Sequence, residues 1–526
     1  MRHVEIFDTT LRDGLQVEGV SATVDDKLRI AEQLDLLGVA FIEGGWPGAN
    51  PKDIEFFQRA KQELSLSTST LVAFGSTRRP RGKVDDDATL RNLIEAETAA
   101  VCIVAKSSEY QVLEALQTTL DEGAAMIADS VRYLDGQGRM VLVDLEHFFD
   151  GYKQNPEFSL RAIEAAVVNG ASHLVLCDTN GGTLPSEIGT IVADVKSHVG
   201  DDAIIGIHCH DDTGCAVANS MAAVEAGAGH VQGTLNGLGE RTGNTNLTTV
   251  IPNLQLKLGY TCLPEGRIER LTAVSHHVAE TLNRAVNPQA PYVGSSAFAH
   301  KAGLHVSAIV RAKDAYEHVD PELVGNGTRF VVSEMAGRAT IQLKADEIGI
   351  ELDGATINNV VDELKRLEHE GYHFEAADAS LELLMRRAAG LVPEFFRVES
   401  MRVITDELPG GQFSTEATVK VWVGDGDDAE RRVWVAEGNG PVNAIDTALR
   451  RAVGTMLPEL ADIHLTDYKV RILDGSSATG STTRVLLTAT DGERDWTTIG
   501  VSPNIIEASW RALEDSLVYG LLHRSR

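Results

Sequence analysis

Two histidines separated by one residue, His208 and His210, follow directly on the apolar run at residues 204–207. A β-strand directs alternate side chains to one face, so the two imidazoles would project together. Paired imidazoles at the end of a buried strand provide half of a metal site. A His-x-His pair also arises by chance, with both rings simply hydrogen-bonded. The pair therefore predicts a metal centre only if other segments supply further ligands.

The elements that would position this pair form a repeated alternation of strands and helices. Short apolar strands are predicted at residues 3–9, 40–44, 70–75, 100–105, 140–145, 173–178, 203–208 and 231–236. Helical periodicity separates them at residues 25–37, 53–64, 113–124, 159–169, 185–198 and 215–226, with capping residues at Thr23 and Ser159. Such alternation indicates an α/β fold. A doubly wound open sheet would share the pattern, but eight strands over about 250 residues favour an N-terminal (β/α)8 TIM barrel.

A barrel of this kind carries its chemistry at the C-terminal ends of its strands. Asp13 follows strand 1, which closes the barrel beside strand 8 and near strand 7, so its carboxylate is expected near the histidine pair. Asn244 ends the glycine-rich loop at residues 233–244 and can add an amide oxygen. Two imidazoles, one carboxylate and one amide oxygen suit Mg²⁺, Mn²⁺ or Zn²⁺, and ligand type does not choose among them.

Bulk composition narrows the class of protein. A chain of 526 residues is too long for one core, so two to four domains are expected. A formal net charge of -30 argues against nucleic acid or an anionic membrane as a partner. Five cysteines without paired spacing predict a reduced, cytoplasmic protein. We expect neither a secretory segment nor a membrane span.

The remainder of the chain predicts two further regions. We expect a catalytic barrel at 1–262, helical linker subdomains at 263–395 and a regulatory or dimerisation domain at 396–526. The last region repeats strand, turn, strand and helix over residues 418–449 and 483–513, so that Ala512 corresponds to Ala448, 64 residues earlier. The acidic turns at 425–428 and 491–493 also correspond. This repeat predicts an α+β domain with an internal pseudo-twofold.

Four segments together resemble one enzyme family. They are Asp8-Thr-Thr-Leu-Arg-Asp-Gly14, the histidine pair, the helix at 214–227 and the loop Gly237-Leu-Gly-Glu-Arg-Thr-Gly-Asn244. They resemble the metal-dependent Claisen-condensing barrel enzymes, which include isopropylmalate, homocitrate and citramalate synthases. The resemblance spans essentially the whole chain, and the tail is similar to the family's amino-acid-sensing dimerisation domain. It implies a homodimer that uses acetyl-CoA as co-substrate.

The resemblance also implies roles for particular residues. The metal ligands would be Asp13, His208, His210 and Asn244. Arg12 would neutralise the keto oxygen as it becomes an alkoxide.

Other positions match the binding and linker motifs of the family. Glu146 and Thr179 would contact the 2-oxo acid, and Glu146 would also be a catalytic residue. His300, in the segment at 296–303, resembles a linker histidine that reaches over the barrel mouth, and it is the candidate base. Tyr316 matches a second linker residue. For His300 and Tyr316, ordinary packing in a helical linker is the alternative.

The choice of 2-oxo acid depends on the segment at 144–153, which resembles the citramalate branch of the family. Its aromatic residues Phe148, Phe149 and Tyr152 are predicted to narrow the pocket toward pyruvate, with isoleucine as effector at the tail. A 2-isopropylmalate synthase using 2-oxoisovalerate is the alternative, since such discrimination is worth only about 1–3 kcal/mol. A lyase would carry a cysteine in the loop at 233–244, which has none. A non-catalytic amino-acid sensor would not need the intact ligand set.

Overall fold

The computed structural model of the chain describes residues 2–300, 308–309, 311–312, 315–330, 337–424, 429–473 and 480–524. These residues form two compact units. The first unit comprises Met1–Phe298 and Glu317–Thr328, and the second comprises Ala299–Tyr316 and Arg329–Arg526.

The first unit contains a closed barrel of eight parallel strands. The strands are β1 (Glu5–Asp8), β2 (Phe41–Gly45), β3 (Thr70–Ser76), β4 (Ala100–Lys106), β5 (Met140–Glu146), β6 (His173–Asp178), β7 (Ile204–Cys209) and β8 (His230–Gly233). Strand β1 closes the barrel against β8, with Glu5 opposite His230 and Asp8 opposite Gly233. The predicted TIM barrel is confirmed, and the open sheet is excluded.

Helices pack outside the strands and bury their apolar faces against them. They are Val24–Leu37, Pro51–Glu63, Ala88–Glu95, Leu120–Gly136, Phe148–Gln154, Pro156–Val167, Pro185–Val199 and Ala216–Glu225, followed by Leu247–Pro252 and Leu271–Thr281. The predicted cap at Thr23 is confirmed. Its hydroxyl accepts from the Asp26 amide at 3.1 Å, and the Asp26 carboxylate accepts from the Thr23 amide at 2.8 Å.

Two predicted helix positions are wrong for local reasons. The helix expected at 113–124 is interrupted, because Gln117 adopts a φ of 51° and Thr119 caps a new helix from Leu120. Ser159 does not cap its helix. Asn155 accepts from the Phe158 amide at 3.1 Å and begins the helix one turn earlier, with Pro156 in its first turn. Ser159 instead donates to the Ser107 carbonyl at 2.9 Å.

The second unit carries the short parallel pair β9 (Ala299–His300) and β10 (Arg329–Phe330). It also carries two three-stranded antiparallel sheets in its C-terminal part. One comprises β11 (Phe396–Glu407), β12 (Phe413–Val423) and β13 (Glu430–Gly438), and the other β14 (His464–Ile472), β15 (Thr483–Thr490) and β16 (Asp495–Ser502). The helices Pro441–Val453 and Ile505–Arg524 follow them and share one core with both sheets. The α+β character and the repeat of strands and helix are confirmed. The acidic turn at 425–428 lies outside the described residues.

Three further helices precede these sheets, at Arg338–Glu347, Gly354–His369 and Asp378–Ala388. The last buries Ala379 and Leu383 in the core shared by the two sheets. The domain boundaries at 262/263 and 395/396 stay predictions. Within the described residues, no helix is long and apolar enough to cross a membrane.

Candidate active site

The candidate site lies at the C-terminal ends of the barrel strands, where alternate side chains turn inward. A pocket of about 280 Å³ opens there. Six of the predicted site residues line it together: Arg12, Asp13, Glu146, Thr179, His208 and His210. The remaining lining residues are Gln16, Trp46, Phe74, Val104, Asp144, Cys177, Glu240 and Arg241. The volume is close to the lower end of the range for small-molecule sites.

Asp13 faces both histidines. Its Oδ2 lies 3.6 Å from Nε2 of His208 and 4.0 Å from Nε2 of His210. The ring centroids of the two histidines are 5.3 Å apart. Three donor atoms from segments about 195 residues apart in the chain thus converge within 4.8 Å of one another.

Asn244 lies beside this group, since its backbone forms a bridge with His210. Its Nδ2 donates to the Leu238 carbonyl at 3.1 Å. Among the described residues, Asn244 Oδ1, Asp13 Oδ1 and His210 Nδ1 are buried without a hydrogen-bond partner. Buried polar atoms ordinarily have partners, so these residues fit a bound divalent cation.

The protonation states favour metal binding. Burial lowers the pKa of His208 to about 4 and also lowers the pKa of His210, so both rings are neutral near pH 7. Burial alone would raise the pKa of Asp13, but the positive charge of Arg12 and the adjacent imidazoles lower it overall. Neutral imidazoles and an ionised carboxylate are the forms that coordinate metals.

Gln232 orients His208, and the sequence reasoning missed it. Its Oε1 lies 2.9 Å from Nδ1 of His208, and its Nε2 donates to Asp144 Oδ1 at 2.9 Å. Burial and the nearby Glu43 raise the pKa of Asp144 to about 7. The period of two along β5 gives a signal for Asp144, because Glu146 follows it on the same face. Gln232 is identified only by its register with His208 across β7 and β8.

Arg12 is held rigidly beside Asp13. Its Nε donates to Glu43 Oε2 at 2.6 Å, and its Nη1 lies 3.3 Å from Asp13 Oδ2. The guanidinium stacks on Phe74 at 3.9 Å from the ring centroid. Burial opposes the charge, but the carboxylates of Glu43 and Asp13 raise the pKa of Arg12 above its usual range. The result is a fixed positive charge at the pocket wall.

Glu146 and Thr179 stand at the ends of neighbouring strands β5 and β6. Glu146 pairs with Lys106 of β4. The Thr179 hydroxyl accepts from the His147 amide at 2.8 Å, so its own proton can be donated into the pocket. The pocket therefore offers the Thr179 hydroxyl and the guanidinium groups of Arg12 and Arg241 to a small anionic ligand.

His300 and Tyr316 belong to the second unit. His300 ends the short strand β9 (Ala299–His300), which pairs with β10 (Arg329–Phe330). Residues 301–303 of the predicted linker motif lie outside the described residues. The roles of His300 and Tyr316 stay predictions.

The aromatic run after β5 does not narrow the pocket, contrary to expectation. Phe148 and Phe149 are fully buried in the main core of the first unit. Tyr152 packs against Phe148 and hydrogen-bonds Asp194. The helix Phe148–Gln154 directs these rings outward from the barrel. The apolar lining consists instead of Trp46, Phe74, Val104 and Cys177.

Three family models match the chain in succession. Residues 3–278 match HMGL-like, residues 292–372 match the homocitrate synthase post-HMGL domain-like region, and residues 375–521 match the LeuA allosteric (dimerisation) domain. The first match covers the whole barrel and more than half of the chain.

Curated relatives match over nearly the full length. The chain is 54% identical to an (R)-citramalate synthase of Streptomyces coelicolor, over 98% of this chain and 96% of the relative. It is 51% identical to an (R)-citramalate synthase of Aquifex aeolicus, over 99% and 98%. A probable 2-isopropylmalate synthase of Methanopyrus kandleri is 34% identical over 97% and 96%.

Proposed function

Since this chain belongs to the HMGL-like family, we propose that it is an acyltransferase that condenses acetyl-CoA with pyruvate to give (R)-citramalate and CoA. The observation that carries the proposal is the single pocket in which Arg12, Asp13, His208 and His210 converge at the barrel mouth. The chain shares more sequence identity with relatives named (R)-citramalate synthase, at 54% and 51%, than with the relative named probable 2-isopropylmalate synthase, at 34%.

We propose that Asp13, His208, His210 and Asn244 hold a divalent ion, Mg²⁺, Mn²⁺ or Zn²⁺. When bound, such an ion supplies Lewis-acid polarisation of a carbonyl. The neutral imidazoles and the ionised Asp13 support this assignment, as do the buried polar atoms that lack hydrogen-bond partners. The donor set does not choose among the three ions.

The chain's own residues would bind and orient pyruvate. Thr179 donates its hydroxyl proton to the carboxylate, and the Glu146–Lys106 pair borders the same end of the pocket. Arg12, fixed by Glu43 and Phe74, neutralises the negative charge that develops on the keto oxygen. Because the guanidinium is already positioned, little reorganisation is needed as that charge develops.

The carbon–carbon bond requires a base for acetyl-CoA. We propose that His300 removes a methyl proton, with Tyr316 as a second catalytic residue of the linker. The resulting enolate carbon attacks the keto carbon, and the new alkoxide takes up a proton. Water then cleaves the thioester to release CoA and leave the second carboxylate, which drives the reaction forward.

We also propose that the second unit makes the chain a homodimer and binds isoleucine as a feedback inhibitor. The match of residues 375–521 to an allosteric dimerisation domain supports the proposal. Inhibition of CoA release by isoleucine, against leucine and valine at equal concentration, tests the effector. Equal inhibition by all three, or by none, contradicts it.

The function is tested by release of free CoA, followed with a thiol reagent, in the presence of Mn²⁺. The 2-oxo acids to compare are pyruvate, 2-oxobutyrate, 2-oxoisovalerate and 2-oxoglutarate. We expect the highest kcat/KM with pyruvate. A preference for 2-oxoisovalerate would identify a 2-isopropylmalate synthase, and absence of turnover with all four would favour an amino-acid sensor.

A further inference from the structure

A second cluster of metal-binding side chains lies at the opposite end of the barrel from the candidate active site. Glu5 at the start of β1, His173 at the start of β6 and His230 at the start of β8 point into the interior. Their donor atoms lie within 4.8 Å of one another. We propose that these three residues form a second divalent-metal site, of the zinc type.

The donor atoms are close enough to converge on one ion. Oε2 of Glu5 lies 2.7 Å from Nε2 of His173 and 3.5 Å from Nδ1 of His230. The two ring centroids are 5.0 Å apart. Ligand bonds of about 2.0–2.1 Å in a tetrahedron place donor atoms about 3.4 Å from one another. The Glu5–His230 separation matches this value, whereas Glu5 and His173 would move apart by about 0.7 Å around an ion. Two imidazoles and a carboxylate are the protein ligands of many zinc sites, whereas Mg²⁺ prefers oxygen.

The two ring nitrogens of His173 have different neighbours, Ser172 at Nδ1 and the Glu5 carboxylate at Nε2. The Ser172 hydroxyl donates its single proton to the Val141 carbonyl at 3.0 Å. With the proton in that bond, the Ser172 oxygen, 2.8 Å from Nδ1 of His173, accepts from that nitrogen. Nε2 lies 2.7 Å from Oε2 of Glu5, so either a proton or a metal ion must lie between these two atoms. Histidine ligands typically fix their other nitrogen in this way.

His230 has the character of a ligand rather than of a hydrogen-bonded core residue. It is fully buried, and neither ring nitrogen makes a hydrogen bond within the described part of the chain. Its ring occupies space left by Gly206, where a Cβ would lie 2.8 Å from Cδ2 of His230. A buried imidazole without hydrogen bonds is costly unless another partner satisfies it.

An apolar layer separates this cluster from the pocket above. Phe7 packs on His230 at 5.4 Å between ring centroids, and Phe41 packs on His173 at 5.7 Å. Phe74 of the same layer faces Arg12 on the pocket side. The cluster is reached from the other end, where Glu5 is 23% exposed. An ion there would not contact the proposed substrates.

The position indicates a stabilising role. Glu5 and His230 are register partners across the seam where β1 meets β8 and closes the barrel. An ion would tie that seam to β6. Residues at this end of TIM barrels serve stability rather than chemistry, and binding to the folded state alone raises stability.

The test measures zinc bound per chain after equilibration with Zn²⁺ and removal of free metal. The full-length wild-type chain should retain two ions. His210→Ala, which disables the proposed catalytic site, should retain one, and Glu5→Gln or His230→Asn in that background should reduce it to none. Zn²⁺ should raise the thermal midpoint of His210→Ala and leave that of the double variants unchanged.

The inference is wrong if folded His210→Ala retains no zinc and its thermal midpoint does not respond to the metal. Glu5, His173 and His230 would then form a proton-bridged ion pair only. The His210→Ala variant keeps Glu5, His173 and His230 intact, so its zinc content decides the question even if His230→Asn fails to fold. Wild-type zinc stoichiometry is independent of the CoA assay. Two bound ions without CoA release would overturn the proposed function and leave this site standing.

Discussion

The two ring nitrogens of His208 face different partners, and that difference determines its chemistry. Nδ1 faces the Gln232 amide oxygen at 2.9 Å, and Nε2 faces Asp13 at 3.6 Å. An amide oxygen can only accept a hydrogen bond, so Nδ1 carries the proton. Nε2 is then left as the nitrogen that can coordinate a metal.

His210→Ala tests the metal assignment. We expect kcat for CoA release to fall by more than about 100-fold, because losing a ligand should exceed the 10–100-fold effect of losing an outer partner. The far-UV circular dichroism spectrum should be unchanged. His198→Ala, an exposed histidine on the helix Pro185–Val199, is the matched control and should keep wild-type activity. Retained activity in His210→Ala would refute the assignment.

Gln232→Leu tests whether Gln232 positions His208. We expect the Mn²⁺ concentration for half-maximal activity to rise about 10–100-fold, because the ring loses the acceptor that fixes its tautomer. At saturating Mn²⁺, kcat should largely recover, which a general loss of folding would not allow. Gln137→Leu, at an exposed position, should leave the Mn²⁺ requirement unchanged. A lower kcat with an unaltered requirement would argue for a different role.

At the scale of elements, a barrel strand can carry both a structural and a chemical segment. The first strand shows this arrangement clearly. Glu5 and Phe7 fill the barrel interior, while Asp8 ends the strand and Arg12 and Asp13 follow in the next loop. Asp8 is buried and accepts from the Thr10 amide at 2.8 Å and the Thr10 hydroxyl at 2.9 Å.

Asp8, the last residue of β1, should make the free energy of unfolding depend on pH. Burial raises the pKa of Asp8 from 3.8 to about 7. The folded state therefore holds a proton that the unfolded state loses, and stability from this group disappears as pH rises from about 4 through 7. Asp8→Asn removes that loss. Its thermal midpoint relative to wild type should rise between pH 5 and about pH 7 and level off by pH 8.

The comparison is made without added metal at pH 5, 6, 7 and 8. Asp201→Asn, at a fully exposed position, is the control and should track the wild-type midpoint at every pH. A difference between Asp8→Asn and wild type that is constant with pH would mean that Asp8 does not titrate in this range.

At the scale of the whole molecule, the outer strands of the second unit expose apolar side chains. Val433, Trp434 and Val435 on β13 are each between 42% and 47% exposed, and Tyr468 and Val470 on β14 are 40% and 42% exposed. Grouped apolar exposure of this kind marks a protein interface. The match to a dimerisation domain over the same residues points to a second copy of the chain.

Light scattering after size exclusion should give a mass twice 56.7 kDa. The double substitution Trp434→Glu and Val470→Glu should shift the mass toward one chain, because burying two carboxylates in an apolar interface is unfavourable. Val168→Glu, at a position 82% exposed on the barrel, should leave the mass unchanged. A wild-type chain of 56.7 kDa, or a double variant that remains a dimer, would contradict this interface.

Local periodicity in the sequence was sufficient to predict the eight strands, the barrel, the repeat in the tail and the histidine pair at the end of β7. These features depend on residues close in the chain. The position of Phe148, Phe149 and Tyr152 outside the pocket was not predictable from the sequence. The orientation of their helix decides which way these side chains face. The hydrogen bonds between Gln232 and Asp144 and between Glu5 and His173 were likewise decided by the tertiary structure. Those pairs come from strands 88 and 168 residues apart, and only closure of the barrel in one register brings them together.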